Sequence, residues 1–410
     1  MQLTRIHISR FRNIGRIDLD PGAGAHLFFG ANAQGKTNTL EAIYYLVTGR
    51  SFRTRLDREC LPLSDLLSAP PMPPGTPVMA VIEGDIQRRA SRHRLRVVVT
   101  PDGKNIFLDD KPLERLGLLW GKLNAILFTP DDLALIKGGP GERRAFLDTE
   151  LAQVDTWYLE ALQRFDRALR QRNALLRRTG PHGAEHPGAL DALRRHLEAF
   201  EQPMAEAAVM VTERRAAALD RLSTAAMEAY RMISGGAEAL KLQYRPALAI
   251  DHTDSQAAEA PQPPTAVGMP ARAYLQRLHD GLAQDLRRGS TQHGPHRDDF
   301  TVTLDGRDAR DFASQGQQRS CVLALRLAEI DWMREATGEP PLLLLDDIVS
   351  ELDEQRRARL LEAIPPDVQT FMTATNAEVL EGRFRGTRHF EVRHGALTTQ
   401  APHATAGMQP

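Results

Sequence analysis

The sequence has few cysteines, almost no net charge and no long hydrophobic run. Its 410 residues include only two cysteines, Cys60 and Cys321, which lie far apart and belong to no metal-binding or redox motif. That usage suits a reducing compartment and argues against a disulfide framework. No stretch approaches the roughly 18 apolar residues of a membrane span, so we expect no membrane partner. The N-terminus alternates apolar and polar residues and lacks the apolar core of a signal peptide, so we expect a cytoplasmic protein.

The charge balance excludes a general attraction to polyanions. Lysine and arginine total 52 against 53 acidic residues, for a formal net charge of −1. Binding to nucleic acid or to an anionic membrane would therefore need local basic patches, because the whole chain supplies no positive field.

The order of patterns along the chain predicts an α/β protein with a helical insertion. Residues 1–130 contain short alternating or apolar runs typical of strands, residues 131–285 are mostly helical, and strands and helices alternate again over 286–396. We expect the two outer segments to form one head and the middle segment to form a second lobe. Loops are predicted at the Pro- and Gly-rich breaks, and residues 397–410 are predicted to be a disordered tail; the breaks are 68–77, 179–188 and 254–270.

A phosphate-binding loop is predicted between a strand and an amphipathic helix in FFGANAQGKTNTLEAIYYL, residues 28–46. Glycines let backbone N–H groups turn toward phosphate oxygens at a helix N-terminus. Lys36 would reach the β- and γ-phosphates, and the Thr37 hydroxyl would hold Mg²⁺. The alternative is a chance glycine-rich turn. ATP is the expected ligand, because no guanine-reading element is apparent. The predicted nucleotide-binding residues of the loop are Gly30, Ala31, Asn32, Ala33, Gln34, Gly35, Lys36 and Thr37.

A second candidate site is the acidic end of an apolar strand in EPPLLLLDDIVSELDEQRR, residues 339–357. A buried parallel strand ending in acids places carboxylates where Mg²⁺ and water sit in nucleotide hydrolases. Asp346 is predicted to hold the metal, and Asp347 to orient or deprotonate water. The alternative is a core strand followed by an acidic helix start.

These motifs, in their order, resemble the ABC-type ATPase heads of the SMC group. Near the end of the chain, SQGQQ, LLLLDD and SELD follow one another as they do in such heads. Within that group the chain resembles the RecF family of bacterial recombination mediators. The resemblance covers nearly the whole chain, and it is most specific in GGPGERRAFLD and HGPHRDD. The segments that carry it are LTRIHISRFRNI, GANAQGKTNTLEAIYYLVTGRSFR, FTPDDLALIKGGPGERRAFLD, QRNALL and HGPHRDDF.

The resemblance implies an ABC-type head with a helical second lobe, and it implies roles for further residues. Ser314, Gly316 and Gln317 match the signature motif, which in such heads completes the ATP site of the opposite protomer. Residues 350–353 match the D-loop. The implied activity is slow, DNA-stimulated ATP hydrolysis by an ATP-dependent homodimer. That dimer would clamp duplex or gapped DNA, with RecR- and RecO-type mediators as partners, and help load recombinase during repair and replication.

Two departures from related heads predict slow hydrolysis. ABC transporters usually carry glutamate where this chain has Asp347, and a carboxylate one methylene shorter positions water less well. The strand segment VQTFMTATN has no histidine at the switch position and leaves Thr373 or Thr375 as weak substitutes.

Several alternatives remain open from the sequence. The histidines and aspartates of HGPHRDD, residues 293–299, superficially suit a metal, although we expect a structural or nucleotide-proximal role. An SMC-like or OLD-like head regulating a nuclease would need a further acidic cluster, and a transporter subunit would need a glutamate after Asp346. Arginine runs are usually solvated faces, but here some are candidates for DNA phosphate contacts: Arg50, Arg53, Arg55, Arg164, Arg167, Arg170, Arg172, Arg177 and Arg178.

Overall fold

A computed structural model of the chain describes residues 1–63, 78–180, 188–236, 238–247, 271–378 and 387–400. The chain divides into two compact units. The first contains Met1–Asp132, Ala229–Gly236 and Leu323–Pro410, and the second contains Leu133–Glu228 and Ala237–Val322. The predicted loops at 68–77 and 254–270, and most of the loop at 179–188, lie outside the described residues.

The structure has strands mainly toward the two ends of the chain and helices mainly in the middle. The described strands are β1 (Gln2–Phe11), β2 (Ile14–Leu19), β3 (Ala25–Phe29), β4 (Ala80–Gln87), β5 (Arg92–Thr100), β6 (Gly103–Leu108), β7 (Lys111–Pro112), β8 (Ala125–Phe128), β9 (Leu240–Arg245), β10 (Asp299–Leu304), β11 (Arg307–Asp308), β12 (Leu342–Leu345), β13 (Thr370–Ala374), β14 (Arg388–Arg393) and β15 (Ala396–Gln400). The described α-helices are α1 (Lys36–Thr48), α2 (Ala134–Lys137), α3 (Pro140–Val154), α4 (Thr156–Thr179), α5 (Ala189–Ser234), α6 (Ala271–Asp280), α7 (Leu282–Arg288), α8 (Ala309–Phe312), α9 (Gln315–Thr337), α10 (Ile348–Glu351) and α11 (Glu354–Ala363).

A mainly parallel sheet forms the core of the first unit, in the order β15-β14-β3-β13-β12-β8. Every residue of β3 and β12 is buried, as expected for strands covered on both faces. Strand β13 pairs in parallel with both β3 and β12. The carboxyl ends of these three strands therefore lie side by side, and both predicted motifs follow directly from them.

The first unit also contains an antiparallel sheet in the order β2-β1-β4-β5-β6-β7. Helix α1 contacts β13 of the parallel sheet and β1 and β4 of the antiparallel sheet. A Cβ atom on Gly84 of β4 would lie 2.4 Å from Cδ2 of Leu46 on α1. The glycine is therefore required for the helix to pack closely against this sheet.

The second unit consists of helices with one small antiparallel sheet, β11-β10-β9. Residues 286–322, predicted with the C-terminal half of the head, belong to this unit instead. The physical reason is strand pairing, since β10 pairs along its whole length, Asp299 to Leu304, with β9. In the described part of the chain, no helix is both long and apolar enough to cross a membrane.

The tail predicted to be disordered begins as a strand. Residues 396–400 form β15, which pairs antiparallel with β14, while 401–410 lie outside the described residues. The turn between the strands contains His394 at φ 48° and Gly395 at φ 74°. Positive φ at both central residues is the geometry of a tight hairpin turn. The polar, threonine-rich composition of this segment concealed a strand, although threonine suits strands well.

Candidate functional site

The predicted phosphate loop leaves β3 and enters α1 in a conformation that needs its two glycines. Gly30 has φ 148°, and a Cβ atom there would lie 2.5 Å from the carbonyl oxygen of Val392. Gly35, the residue before α1, has φ 116°, and its Cβ would lie 2.9 Å from Oδ1 of Asn13. Side chains are excluded at both positions by conformation and by space, so the loop is lined by backbone there.

Lys36 begins α1 and is folded back onto the loop. Its Nζ donates to the carbonyl oxygens of Gly30, at 2.7 Å, and Ala31, at 3.0 Å. Burial lowers the pKa of Lys36, while the charges of Asp347 and Asp346 act in the opposite direction. The ammonium group is therefore held within the loop and within the field of both predicted acids.

Asp346 lies at the carboxyl end of β12 and contacts the phosphate loop directly. Its Oδ1 accepts a hydrogen bond from Oγ1 of Thr37 at 2.9 Å, across 309 residues of sequence, and a second from Oγ1 of Thr373 at 2.8 Å. Burial raises the pKa of Asp346, and the two hydroxyl donors oppose that rise. The two residues predicted to hold a metal are thus in contact. A hydroxyl and a carboxylate are hard oxygen ligands of the kind that Mg²⁺ prefers.

Asp347, the predicted water-orienting acid, follows in a left-handed conformation with φ 54°. Its N–H donates to Oγ1 of Thr373 at 2.8 Å. Its Oδ1 is buried and has no hydrogen-bond partner among the described residues. A buried acceptor without a partner is costly, so this oxygen is an available acceptor for a donor entering the site.

Sequence reasoning missed the residues that hold the loop from both sides. The amide of Asn13 donates to the carbonyl oxygen of Ala33 at 3.3 Å. The hairpin turn donates twice to Gln34, from Gly395 N–H to the main-chain oxygen and from His394 N–H to Oε1, both at 2.8 Å. No local pattern in residues 394–395 signals this role, because the contact exists only once β14 pairs beside β3.

A basic cavity of about 820 Å³ adjoins the loop through Asn13 and Asn38. Arg12 is fixed in its wall by the fully buried Glu41, whose oxygens accept from Nε at 3.0 Å and from Nη2 at 2.7 Å. The cavity combines charged and apolar surface. Its lining residues are Arg10, Arg12, Asn13, Ile14, Gly15, Asn38, Arg53, Glu59, Leu61, Pro62 and Leu63.

The predicted signature residues lie in the second unit, at the N-terminus of α9. Ser314 N–H donates to Oε1 of Gln317 at 2.7 Å, and Gln317 N–H donates to Oγ of Ser314 at 3.3 Å. This reciprocal pair is a capping box, with Gly316 inside the first turn. Nε2 of Gln317 also donates to Glu238 at 2.6 Å. Ser314 is exposed, so the structure places all three residues at an accessible helix N-terminus.

The matched D-loop follows Asp347 without a break. The carbonyl oxygen of Asp347 accepts from Ser350 N–H at 3.2 Å. Asp353 ends the segment as the N-cap of α11, where its Oδ1 accepts from Arg356 N–H at 2.9 Å. Asp347 is therefore hydrogen-bonded to the first turn of α10, and Asp353 caps α11.

The HGPHRDD segment is part of the packing of the second unit. Asp298 accepts from the Tyr244 hydroxyl at 2.5 Å and from Ala247 N–H at 2.7 Å. Asp299 pairs with Arg143 through two bonds, at 2.6 and 2.9 Å. Across the described ranges, no group of three or more histidine, cysteine or acidic side chains could hold a metal ion. The segment's acids are engaged in structural contacts.

One arginine proposed for DNA contact is excluded. Arg172 is fully buried and pairs with Glu201 at 2.8 Å and Asp285 at 2.6 Å. Arg50 lies over the ring of Trp120, with its Cζ 5.2 Å from the ring centroid. The other candidates on the same helix, α4, are exposed: Arg164, Arg167, Arg170, Arg177 and Arg178.

The comparisons with known proteins agree with this geometry. The family model described as the RecF/RecN/SMC N terminal domain matches residues 2–398. The Smc head domain derived from Pyrococcus furiosus is 16% identical with a TM-score of 0.52, covering 97% of this chain and 95% of its own. This chain accordingly has the fold of an ABC-type ATPase head of the SMC class.

Similarity to individual relatives is higher and covers almost the full length. The DNA replication and repair protein RecF of Geobacter sp. is 36% identical over 97% of this chain and 100% of its own length. The corresponding protein of Lactobacillus delbrueckii subsp. bulgaricus is 40% identical over 97% of each chain. The structure of a recombination mediator protein RecF with ATP, in the RecFOR pathway, is 29% identical with a TM-score of 0.81, over 97% of each chain. The chain belongs to the RecF family.

Proposed function

We propose that the protein is an ATP-dependent DNA-binding protein of recombinational repair and replication, working in the cytoplasm. The observation that carries this proposal is the contact between Thr37, at the start of α1, and Asp346, at the end of β12. The contact brings two distant motifs together as a hydroxyl and a carboxylate that would suit a cation. The pair lies beside a lysine that is folded onto a glycine-dependent loop.

The first unit would bind ATP through the loop of residues 30–37. Lys36 would exchange the carbonyl oxygens of Gly30 and Ala31 for the β- and γ-phosphates, because an ammonium group binds a phosphate oxygen more strongly than a neutral carbonyl. Thr37 and Asp346 would hold Mg²⁺, which neutralises phosphate charge when it is bound. The free Oδ1 of Asp347 would accept a hydrogen bond from the attacking water and orient it.

The second unit would complete the site of another protomer. The exposed N-terminus of α9 presents Ser314 and the backbone at Gly316, and helix N-termini bind anionic phosphate oxygens. To use its hydroxyl in this way, Ser314 would give up its 3.3 Å bond with Gln317 N–H. That bond is long and its loss is modest, so ATP would drive a homodimer in which two nucleotides lie between two chains.

Such a dimer would hold duplex DNA near gaps or stalled forks and release it on slow hydrolysis. The exposed arginines of α4 are the candidates for phosphate contact. The short carboxylate of Asp347 and the lack of a histidine at the switch position in VQTFMTATN both favour slow turnover. The RecF structure with ATP belongs to a RecFOR pathway, so RecR and RecO are the expected partners in loading recombinase onto single-stranded DNA.

The proposal is tested by measuring molar mass by light scattering, and affinity for duplex, single-strand and junction DNA across a salt series, each with and without ATP. Wild type is expected to dimerise with ATP and to bind duplex with a steep salt dependence. Lys36→Ala should lose ATP binding, dimerisation and ATP-dependent DNA binding, whereas Lys111→Ala, at an exposed lysine, should retain all three.

Ser314→Arg tests the proposed role of the signature loop independently of ATP binding by the loop of residues 30–37. It is expected to bind ATP as a monomer, because the larger cationic side chain obstructs the approach of a second protomer. Gln163→Arg, at an exposed position of α4, controls for the added charge. If Ser314→Arg still dimerises with ATP, the role of the signature loop across protomers is wrong.

A further inference from the structure

We propose that Thr373 is a positioning residue for hydrolysis, whose single hydroxyl group fixes both Asp346 and Asp347. The inference deepens the proposed function and rests on it. The sequence leaves Thr373 or Thr375 as weak substitutes for a missing switch histidine. Their environments differ sharply, since Thr373 is fully buried and Thr375 is exposed. The geometry assigns the role to Thr373.

Strand pairing brings Thr373 to the two acids. Leu345 of β12 lies opposite Met372 of β13 in the parallel register. The next residues along the two strands are Asp346 and Thr373, so the hydroxyl and the carboxylate meet at the sheet edge that also carries the phosphate loop. The backbone of both strands, rather than a flexible loop, therefore sets the position of the hydroxyl.

The hydrogen-bond roles at Thr373 are determined by simple counting. Its Oγ1 has one proton and two lone pairs. The N–H of Asp347, 2.8 Å away, can only donate, so it uses a lone pair of Oγ1. The proton is then free to go to Oδ1 of Asp346, also at 2.8 Å. One hydroxyl group thereby orients the carboxylate of one acid and the backbone of the other.

Both bonds bear on the proposed chemistry. Thr37 and Thr373 donate to the same oxygen of the Asp346 carboxylate. Thr373 would therefore still orient this carboxylate when the Thr37 hydroxyl binds a cation. Asp347 has φ 54°, a conformation that non-glycine residues adopt rarely and only with support. The Thr373 acceptor stabilises that conformation, and with it the direction of the unpaired Oδ1 of Asp347.

A buried threonine with two hydrogen bonds could also serve only the stability of the fold. The test therefore needs readouts that a loss of packing alone does not change. Thr373→Val keeps the size and branching of the side chain but removes both hydrogen bonds. Thr373→Ser keeps the hydroxyl, and Thr375→Val makes the same chemical change at the exposed neighbour. For each protein we would measure kcat and KM for ATP, and nucleotide binding as a function of Mg²⁺ concentration and in EDTA.

For Thr373→Val, we expect kcat to fall by about 10- to 100-fold, as is usual when an outer-shell partner of a metal site is removed. The Mg²⁺ concentration for half-maximal nucleotide binding should rise about 10-fold, while affinity in EDTA changes less than about 2-fold. Thr373→Ser should restore wild-type behaviour to within about 3-fold, and Thr375→Val should match wild type.

The inference is overturned if Thr373→Val keeps the wild-type kcat and Mg²⁺ requirement, or if its affinity falls equally with and without Mg²⁺. If Thr373→Val does not fold, Thr373→Ala compared with Thr373→Ser decides the same point. Failure of the proposed function has a different signature, because wild type itself would then neither bind nor hydrolyse ATP.

Discussion

Two buried aspartates, Asp346 in the first unit and Asp298 in the second, differ in the groups that surround their charge. Burial raises the pKa of each, and hydrogen-bond donors oppose that rise at each. Asp298 accepts from Tyr244 and Ala247, and it lies 3.9 Å from the buried guanidinium of Arg215. Its negative charge is compensated by the fold itself.

Asp346 accepts hydrogen bonds from no cationic side chain among the described residues. Its two close donors are the neutral hydroxyls of Thr37 and Thr373, and the next residue is a second carboxylate. The nearby cation, Lys36, donates to loop carbonyl oxygens rather than to either acid. The difference shows that burial of an acid does not by itself identify a site. At Asp346 and Asp347, two adjacent acids accept hydrogen bonds only from neutral donors, and the neighbouring Lys36 bonds to neither of them. That arrangement points to a ligand that includes a cation.

The largest expected effect comes from neutralising Asp346. Asp346→Asn keeps an oxygen acceptor for both hydroxyls but removes the charge that would hold Mg²⁺. We expect Mg²⁺-dependent ATP turnover to fall by roughly 100-fold or more, with the melting temperature unchanged or higher because repulsion with Asp347 is relieved. Steady-state ATPase assays and thermal melts measure the two effects.

Asp298→Asn is the matched change in the other unit. Both oxygens of Asp298 accept hydrogen bonds, so an amide would place a donor against one donor of the set. We expect a loss of about 2 kcal/mol in the free energy of unfolding, with turnover per folded molecule unchanged. If Asp346→Asn were instead the destabilising variant with normal turnover, the contrast between the two acids would be refuted.

A further set of effects concerns the charge network of the second unit, which we expect to be independent of the proposed nucleotide site. Arg215 is buried and donates to Asp148 at 2.7 and 2.9 Å and to the carbonyl oxygen of Pro295 at 2.7 Å. Arg215→Met would leave the buried Asp298 and the half-buried Asp148 without their cation, and it should cost about 3 kcal/mol in chemical denaturation. ATP affinity of the folded protein should not change.

The neighbouring residue provides the control for Arg215→Met. Arg214 is 53% exposed and pairs with Asp155 at 3.5 Å. Arg214→Met should change the free energy of unfolding by no more than about 0.5 kcal/mol, because exposed ion pairs contribute little. Equal destabilisation by both variants would show that side-chain packing on α5, rather than charge compensation, explains the loss.

Local sequence patterns locate the two motifs of the first unit, but they do not reveal which charged residues of the second unit are buried. The glycine spacing at 30–37 and the apolar run into Asp346 are determined by short-range chemistry, so both motifs could be located from sequence. The burial of Arg172 could not, because the arginines of α4 share one composition and only packing against Glu201 and Asp285 distinguishes them. The dual role of Thr373 and the assignment of 286–322 to the second unit likewise depend on strand pairing between distant segments.

A pH dependence of stability centred on His296 is also expected. Its Nε2 contacts the carbonyl oxygen of Thr291 at 3.0 Å, and burial lowers its pKa to about 4, assisted by the charges of Arg297, Arg144 and Arg215. The unfolded chain, with a pKa of about 6.5, binds more protons than the native state between these values. The contribution of this residue is therefore fully present above pH 6.5, and it is lost progressively as pH falls toward 4.

Over that range we expect about 3 kcal/mol of additional destabilisation in wild type compared with His296→Gln, which cannot titrate but can still donate to Thr291. His196→Gln, at an exposed histidine, should follow the wild-type curve. Denaturation at a series of pH values measures the difference. A wild-type curve that coincides with that of His296→Gln would mean that the histidine is not held neutral in the fold, and that the second unit tolerates an added positive charge beside its arginines.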